Sequence, residues 1–147
     1  MKPEQLLYTR IAAALTSAEW DVQRVESVIG RGIPDITVCC KALGEVWIEA
    51  KADKKRPRLR PEQYAWMKRR AHFGGQCCAV IQDEYREWHV WPITDSSRFG
   101  VVGSYLVPSS SERCSVNQSL VHALFDLYGN SNTRPEPDRP SGDHPAP

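Results

Sequence analysis

The sequence predicts a mixed α/β domain in which a central sheet is flanked by helices. Two segments that begin with a proline repeat their apolar residues at helical spacing, and short runs rich in β-branched residues lie between and after them. The length of 147 residues, with 41% hydrophobic and 25% charged residues, suits one globular unit with a real core. One α/β core is therefore the expected organisation.

The first predicted helix runs from Pro3 to Leu15. Proline is favoured in a first helical turn, and Leu7, Ile11 and Leu15 repeat at the spacing of one helix face. Glu4 lies in that first turn, where the positive end of the helix dipole favours a carboxylate. Glu4 is therefore left open between stabilising the helix and serving a site.

Three strands are predicted in the first half of the chain: Val22–Ile29, which contains Glu26, Asp35–Cys40 and Glu45–Lys51. Gly30 and Gly32 turn the chain between the first two strands, because glycine adopts backbone angles that other residues avoid. The short connection 41–44 predicts a hairpin. The third strand alternates, so that Glu49 and Lys51 share one face while the apolar residues face the other way.

The second helix is predicted to begin at Pro61 and to stop at Gly74-Gly75. Two further strands follow at Cys77–Ile81 and Trp88–Trp91, and a C-terminal helix is expected within Val116–Tyr128. We expect a core over 1–95, an extension over 96–130 whose helix packs on the core, and a disordered tail over 131–147, which holds five prolines.

Apolar runs and cysteines indicate the compartment. No apolar run approaches the roughly 18 residues that a membrane span needs, and the N-terminus lacks an apolar signal core, so we expect a cytoplasmic protein with no membrane partner. The two histidines that lie near the predicted strands lack metal-binding spacing, and no role is assigned to His72 or His89. The cysteines, which include no CxxC, predict buried thiols rather than metal ligands: Cys39-Cys40, Cys77-Cys78 and Cys114.

Basic residues are concentrated between Lys51 and Arg70. Nine of the nineteen Lys and Arg residues lie there against two acidic residues, a local net charge of +7, while the whole chain has only +1. Such a block can release counterions from a phosphate backbone, although a solvated loop and helix face would look similar. The run 52–60 is expected as an exposed loop. The candidate nucleic-acid contacts are Lys54, Lys55, Arg56, Arg58 and Arg60.

Asp35 and Glu49 are the candidate metal ligands. Hydrolysis of a phosphodiester needs a nucleophilic water and positive charge near phosphorus, and carboxylates hold the hard cation Mg²⁺ or Mn²⁺ for this purpose. The predicted hairpin brings the strands of Asp35 and Glu49 side by side. Lys51 lies about 6.5–7 Å along the strand from Glu49, within reach of the attacking water or the phosphate. Each residue alone has an ordinary structural explanation, but the set beside a basic block favours a nuclease.

Several of these segments together resemble the VRR-NUC family, small nuclease domains of the PD-(D/E)xK superfamily that many phages encode. The resemblance extends from Glu4 to Ile81 and rests on the segments Arg24-Val25-Glu26-Ser27-Val28-Ile29-Gly30-Arg31-Gly32-Ile33-Pro34-Asp35, Trp47-Ile48-Glu49-Ala50-Lys51, Leu59-Arg60-Pro61-Glu62-Gln63-Tyr64-Ala65-Trp66 and Gly74-Gly75.

This resemblance implies a restriction endonuclease-like core, close to Holliday junction resolvases, in a bacterial or phage-infected cell. It implies that Asp35, Glu49 and Lys51 form the catalytic triad, that the Ala50 backbone carbonyl is a further metal ligand, and that Gln63 lies near the site. A further carboxylate often completes such sites, and Glu4 and Glu26 remain alternatives for it.

The resulting hypothesis is an Mg²⁺- or Mn²⁺-dependent endonuclease that acts on structured or branched DNA, with a homodimer allowed. The alternative from another class is a catalytically inactive DNA-binding or assembly module on a nuclease scaffold, and RNA cleavage is a weaker third. Four aromatic residues could stack on bases, but their periodicity and apolar neighbours favour core packing: Tyr64, Trp66, Trp88 and Trp91.

Overall fold

The computed structural model describes residues 2–25 and 32–129. Within these ranges three α-helices flank a five-stranded sheet, and a separate two-stranded hairpin and a short 3-10 helix precede the last α-helix. The elements are α1 (Pro3–Ser17), β1 (Asp21–Arg24), β2 (Ile36–Cys40), β3 (Gly44–Ala50), α2 (Pro61–His72), β4 (Cys77–Gln82), β5 (Trp88–Pro92), β6 (Phe99–Val102), β7 (Tyr105–Pro108), the 3-10 helix (Ser110–Glu112) and α3 (Leu120–Tyr128).

The sheet has the order β1-β2-β3-β4-β5, and its central strand is β3. All neighbouring pairs are antiparallel except β3 and β4, which are parallel and are joined through α2. The predicted mixed sheet flanked by helices is confirmed. Ile36 pairs with Ile48 in the β2–β3 hairpin. Asp35, one residue before β2, therefore reaches the end of β3 at Glu49.

Helices α1 and α3 cover one face of the sheet. Their buried side chains pack against the residues of β2 to β5 that point to this face, because alternate residues of a strand point the same way. The cluster comprises Leu7, Ile11, Leu15, Ile36, Val38, Leu43, Val46, Ile48, Ala50, Cys78, Val80, Val90, Leu120, Ala123 and Leu124.

Helix α2 covers the other face, together with the loop before it and the β6–β7 hairpin. Met67 of α2 and Leu59 of the loop pack on Cys77, Ala79 and Ile93. Trp47, Tyr64, Trp66 and Phe99 border this second cluster. Since Trp47 and Glu49 alternate with the apolar residues of β3, Glu49 also lies on the α2 face.

Three of the five cysteines are not buried, contrary to the prediction. Cys39 is exposed and Cys40 is half-buried, because Cys39 pairs with Asp21 on one side and Glu45 on the other, and both are exposed. Cys77 and Cys78, in the all-buried strand β4, are buried as expected, but Cys114 is exposed.

The loop 52–60 is only partly exposed. Leu59 is fully buried and Pro57 is buried, because Leu59 and Leu106 of β7 exchange two backbone hydrogen bonds of 2.8 Å. No local pattern in the sequence indicates strand β7. The pairing of this loop with β7 was therefore not predicted.

Some predicted segments end differently or fall outside the described residues. The first strand ends at Arg24, and the part of the predicted strand from Glu26 onward lies within 26–31, outside the described residues. The predicted tail 131–147 also lies outside them. Helix α3 begins at Leu120 because the Ser119 hydroxyl accepts a hydrogen bond from the His122 N–H and caps the helix.

In the described part of the chain, no helix has the length and apolar character needed to cross a membrane.

Gly32 lies against the first turn of α2. Its φ of +90° is a conformation that other residues rarely adopt, and a Cβ there would overlap the backbone carbonyl of Glu62 in the first turn of α2. We expect Gly32→Ala to destabilise the fold by several kcal/mol, the sum of roughly 1–2 for the left-handed backbone and about 1–3 for overpacking.

Gly44→Ala is the matched control, because Gly44 has a φ of +71° and a Cβ added there would meet no atom within 4 Å. Denaturant unfolding should show a loss of roughly 1–2 kcal/mol for this control. Equal losses in the two variants would contradict the close packing of Gly32 on α2.

Candidate active site

A polar cleft of about 420 Å³ lies over the end of β3, between the first turns of α1 and α2. Acidic, basic and amide side chains line it, which is the composition of a site for a charged ligand rather than an apolar one. The lining residues are Glu4, Asp35, Glu49, Lys51, Asp53, Arg58, Arg60, Gln63 and Tyr105.

Asp35 and Glu49 meet in this cleft. Glu49 is only 2% exposed, and its Oε2 accepts a hydrogen bond of 3.3 Å from the backbone N–H of Asp35. Asp35, one residue before β2, is half-buried. The β2–β3 hairpin thus brings the two predicted carboxylates together. Both are hard oxygen donors, the ligand type that Mg²⁺ and Mn²⁺ prefer.

Gln63 holds the Glu49 carboxylate. Its side-chain Nε2 donates a hydrogen bond of 2.8 Å to Glu49 Oε1, while its Oε1 accepts a hydrogen bond of 3.0 Å from the Arg60 backbone N–H. The second bond orients the amide, because only the oxygen can accept from the N–H. Gln63 is 4% exposed, so it is not a solvent-facing residue of the helix.

Burial and neighbouring acidic charge oppose the ionisation of both carboxylates. Burial, followed by the charge of Asp35, raises the pKa of Glu49 to about 8, although the Lys51 ammonium lowers it in part. Burial, followed by the charge of Glu4, raises the pKa of Asp35 above its usual range. A bound cation would relieve this repulsion, so the residues present fit a divalent metal.

Lys51 lies on the same side of β3 as Glu49, as the alternation predicts. Its Nζ is 3.6 Å from Glu49 Oε1, and the side chain is largely buried at the cleft. An ammonium group in this position offsets the acidic pair and can also donate to a water or a phosphate oxygen in the cleft.

Of the remaining candidate metal ligands, the structure describes Glu4 and Ala50 but not Glu26. Glu4, in the first turn of α1, lines the cleft and its charge acts on both Asp35 and Glu49. Glu26 lies outside the described residues. Ala50 separates Glu49 from Lys51 in the chain and is 2% exposed.

The basic candidates divide into two groups. Arg58 donates hydrogen bonds to Asp53 from its Nε and its backbone N–H, at 2.9 and 3.0 Å, and Arg60 lies 3.7 Å from Glu62. Lys54, Lys55 and Arg56 are exposed and, among the residues that the structure describes, form no ion pair. The second group is free to bind phosphate.

A group that could hold a metal lies at the β4–β5 turn and was missed in the sequence. One ligand atom each from Asp83, Glu87 and His89 lies within 4.8 Å of the others. However, His89 Nε2 lies 2.8 Å from Asp83 Oδ2, and the Arg113 guanidinium lies 3.4 Å from His89 Nδ1. Because guanidinium only donates, Nδ1 accepts and Nε2–H donates to Asp83, which leaves no lone pair on Nε2 for a metal. The antiparallel turn that brings these residues together was predictable, but the contact with Arg113 was not.

The aromatic candidates pack within the fold. Trp91 is fully buried, Trp66 meets Trp47 edge-on at 5.1 Å, and the Tyr64 ring lies 4.0 Å from that of Phe99. Tyr105, which sequence reasoning did not select, is the aromatic residue that lines the cleft. Its signal was missed because strand β7 was not predicted.

Comparisons with known proteins place the fold. No family model matches the sequence and no curated protein resembles it at a significant level. The structure is similar to that of Hjc, a Holliday junction resolvase from the archaeal hyperthermophile Archaeoglobus fulgidus, with a TM-score of 0.56 and 14% sequence identity over 73% of this chain and 88% of Hjc. The chain therefore has the restriction endonuclease-like fold, and the resemblance to the VRR-NUC family stays a prediction.

Proposed function

We propose that this protein is a metal-dependent endonuclease that hydrolyses phosphodiester bonds in branched DNA. The observation that supports this most is the hydrogen bond of 3.3 Å that joins Asp35 to Glu49, both with raised pKa values, beside Lys51 in a polar cleft. Buried carboxylates with perturbed pKa values in a cleft are typical of functional sites.

Asp35 and Glu49 are proposed to hold Mg²⁺ or Mn²⁺, with the Ala50 carbonyl as a further ligand. The cation would supply the positive charge that neutralises the phosphate and lowers the pKa of a water. Glu4 is the further carboxylate that we propose for the site, since it lines the same cleft.

Lys51 and Gln63 have different proposed roles. The Lys51 ammonium donates to the attacking water or to a phosphate oxygen, and so orients one reactant against the other. Gln63 acts through Glu49, because its hydrogen bond of 2.8 Å fixes the orientation of the carboxylate. Gln63 is therefore a positioning residue.

The basic loop is proposed to bind the DNA backbone. Lys54, Lys55 and Arg56 are exposed next to the cleft, and Arg58 and Arg60 line the cleft itself. Cations in this arrangement can neutralise successive phosphates of the backbone. The preference for branched DNA is proposed by analogy with the resolvase whose fold is similar.

The test is cleavage of end-labelled single-stranded, duplex, flap and four-way DNA of matched sequence, with and without Mg²⁺. We expect cuts in the branched substrates only when the metal is present. Cleavage of RNA of the same sequence at an equal rate would show that the enzyme is not specific for DNA. Binding of every substrate with no product in Mg²⁺ or Mn²⁺ would favour a DNA-binding module without catalysis.

A further inference from the structure

The β6–β7 hairpin presents one side to the basic loop. Residue pairs across the hairpin, Val102 with Tyr105 and Gly100 with Val107, place Val102, Tyr105 and Val107 on the same side. Val101 pairs with Leu106 and points to the other side. Val102 is 55% exposed and Val101 is 74% exposed, so both tip valines reach solvent.

The hairpin is fixed in place rather than free at its base. The ring of Phe99 packs on Tyr64 of α2 at 4.0 Å, and Leu106 exchanges two backbone hydrogen bonds with Leu59. These contacts join the hairpin to the two segments that border the active cleft. The position of Tyr105 relative to the cleft is therefore set by packing.

A second groove of about 400 Å³ continues from the active cleft. Asp53 and Arg58 line both spaces, and the Arg58 guanidinium lies 5.5 Å from the centre of the Tyr105 ring. One wall of the groove is apolar and the other is basic. Its lining residues are Asp53, Lys54, Lys55, Arg56, Arg58, Val102 and Val107.

We propose that this groove binds a single-stranded segment of the nucleic acid next to the bond to be cut, an inference that rests on the proposed function. Lysine and arginine on one wall match the phosphates. Val102 on the other wall, with Tyr105 of the adjoining cleft on the same side of the hairpin, matches the faces of bases. Bases within a duplex are stacked on each other and offer no free face to these side chains. The groove thus selects substrates with unpaired nucleotides beside the cleavage point.

Two charge variants on opposite sides of one hairpin test this. Val102→Asp places a negative charge in the groove, whereas Val101→Asp makes the same change on the far side. Binding is measured by fluorescence anisotropy in EDTA, with a forked duplex that has a single-stranded arm and a blunt duplex of the same sequence. We expect Val102→Asp to weaken binding of the fork by about tenfold or more, towards the level of the blunt duplex. Val101→Asp should stay within about twofold of the wild-type protein.

The ring of Tyr105 gives a second pair that does not depend on an added charge. Tyr105→Phe keeps the aromatic face and should bind the fork about tenfold tighter than Tyr105→Ala. If Val102→Asp lowers the melting temperature and Val101→Asp does not, weaker binding by Val102→Asp could reflect instability. The Tyr105 pair then tests whether the groove binds the single-stranded arm.

Each outcome separates the possibilities. Equal binding of the fork by both aspartate variants, together with equal binding by both Tyr105 variants, overturns the proposal. A change from dimer to monomer in sedimentation for Val102→Asp would also overturn it, because the groove would then hold a second copy of the chain. If Val102→Asp selectively loses binding of the fork while the wild-type protein cuts no substrate in Mg²⁺, the groove is supported and the nuclease function is contradicted.

Discussion

Replacing Asp35 by alanine is expected to reduce cleavage of branched DNA by at least about a thousandfold while DNA binding stays within a few-fold of wild type. A metal ion contributes several kcal/mol of transition-state stabilisation, and each 1.4 kcal/mol or so is a factor of ten in rate. Asp35 approaches Glu49 at the centre of the cleft, while the exposed cations that are proposed to bind DNA lie on the loop beyond it. Single-turnover cleavage and anisotropy binding measure the two effects separately.

Asp95→Ala is the control for this prediction, because Asp95 is exposed and pairs only with His72 among the described ion pairs. It should cut at the wild-type rate. Lys51→Ala should bind and fail to cut, as Asp35→Ala does. If both Asp35→Ala and Lys51→Ala cut like the wild type, the cleft is not the active site.

The stability of the metal-free protein is expected to fall as the pH rises from about 5 to about 8. Burial and the neighbouring Asp35 raise the pKa of Glu49 from 4.5 to about 8 in the folded state. Below pH 4.5 the carboxyl is protonated in both states. Between these values the unfolded chain releases the proton that the folded protein keeps, so unfolding becomes easier. The difference amounts to roughly 3–5 kcal/mol at pH 8 and above.

Thermal unfolding in EDTA across this pH range measures the effect, and Glu49→Gln is the control. The glutamine side chain can still accept the hydrogen bond from Gln63 but cannot ionise, so the pH dependence should flatten. Asp35 has a raised pKa too and contributes in the same direction. A wild-type protein whose stability rises from pH 5 to pH 8 would contradict the buried acidic pair.

Local pattern was sufficient to predict how Asp35, Glu49 and Lys51 are brought together in the cleft. The alternation of β3 placed Glu49 and Lys51 on one face, and the short connection 41–44 predicted the hairpin that brings Asp35 beside Glu49. Both inferences depend on residues close in sequence, where strand geometry leaves few choices. The proline at the start of α2 likewise located Gln63 at the first turn.

Contacts between distant segments could not be predicted. The burial of Leu59 depends on Leu106, and the place of Tyr105 in the cleft depends on β7, a strand of four residues with no clear alternation. The hydrogen bond from Gln63 to Glu49 depends on how α2 packs on the sheet. The exposure of Cys39 follows from its neighbours across strands rather than from its own apolar run. In each case tertiary packing, not local propensity, decides the environment.

Calorimetric titration of Mn²⁺ into the wild-type protein, Asp35→Ala and Asp83→Asn tests the central claim that the cleft is a cation site. We predict binding to the wild type and to Asp83→Asn, with release of protons because the raised pKa of Glu49 leaves it largely protonated near neutral pH. Asp35→Ala should bind Mn²⁺ at least tenfold more weakly than the wild-type protein does. Binding that survives in Asp35→Ala and disappears in Asp83→Asn would contradict the account, since the metal would then lie at the β4–β5 turn.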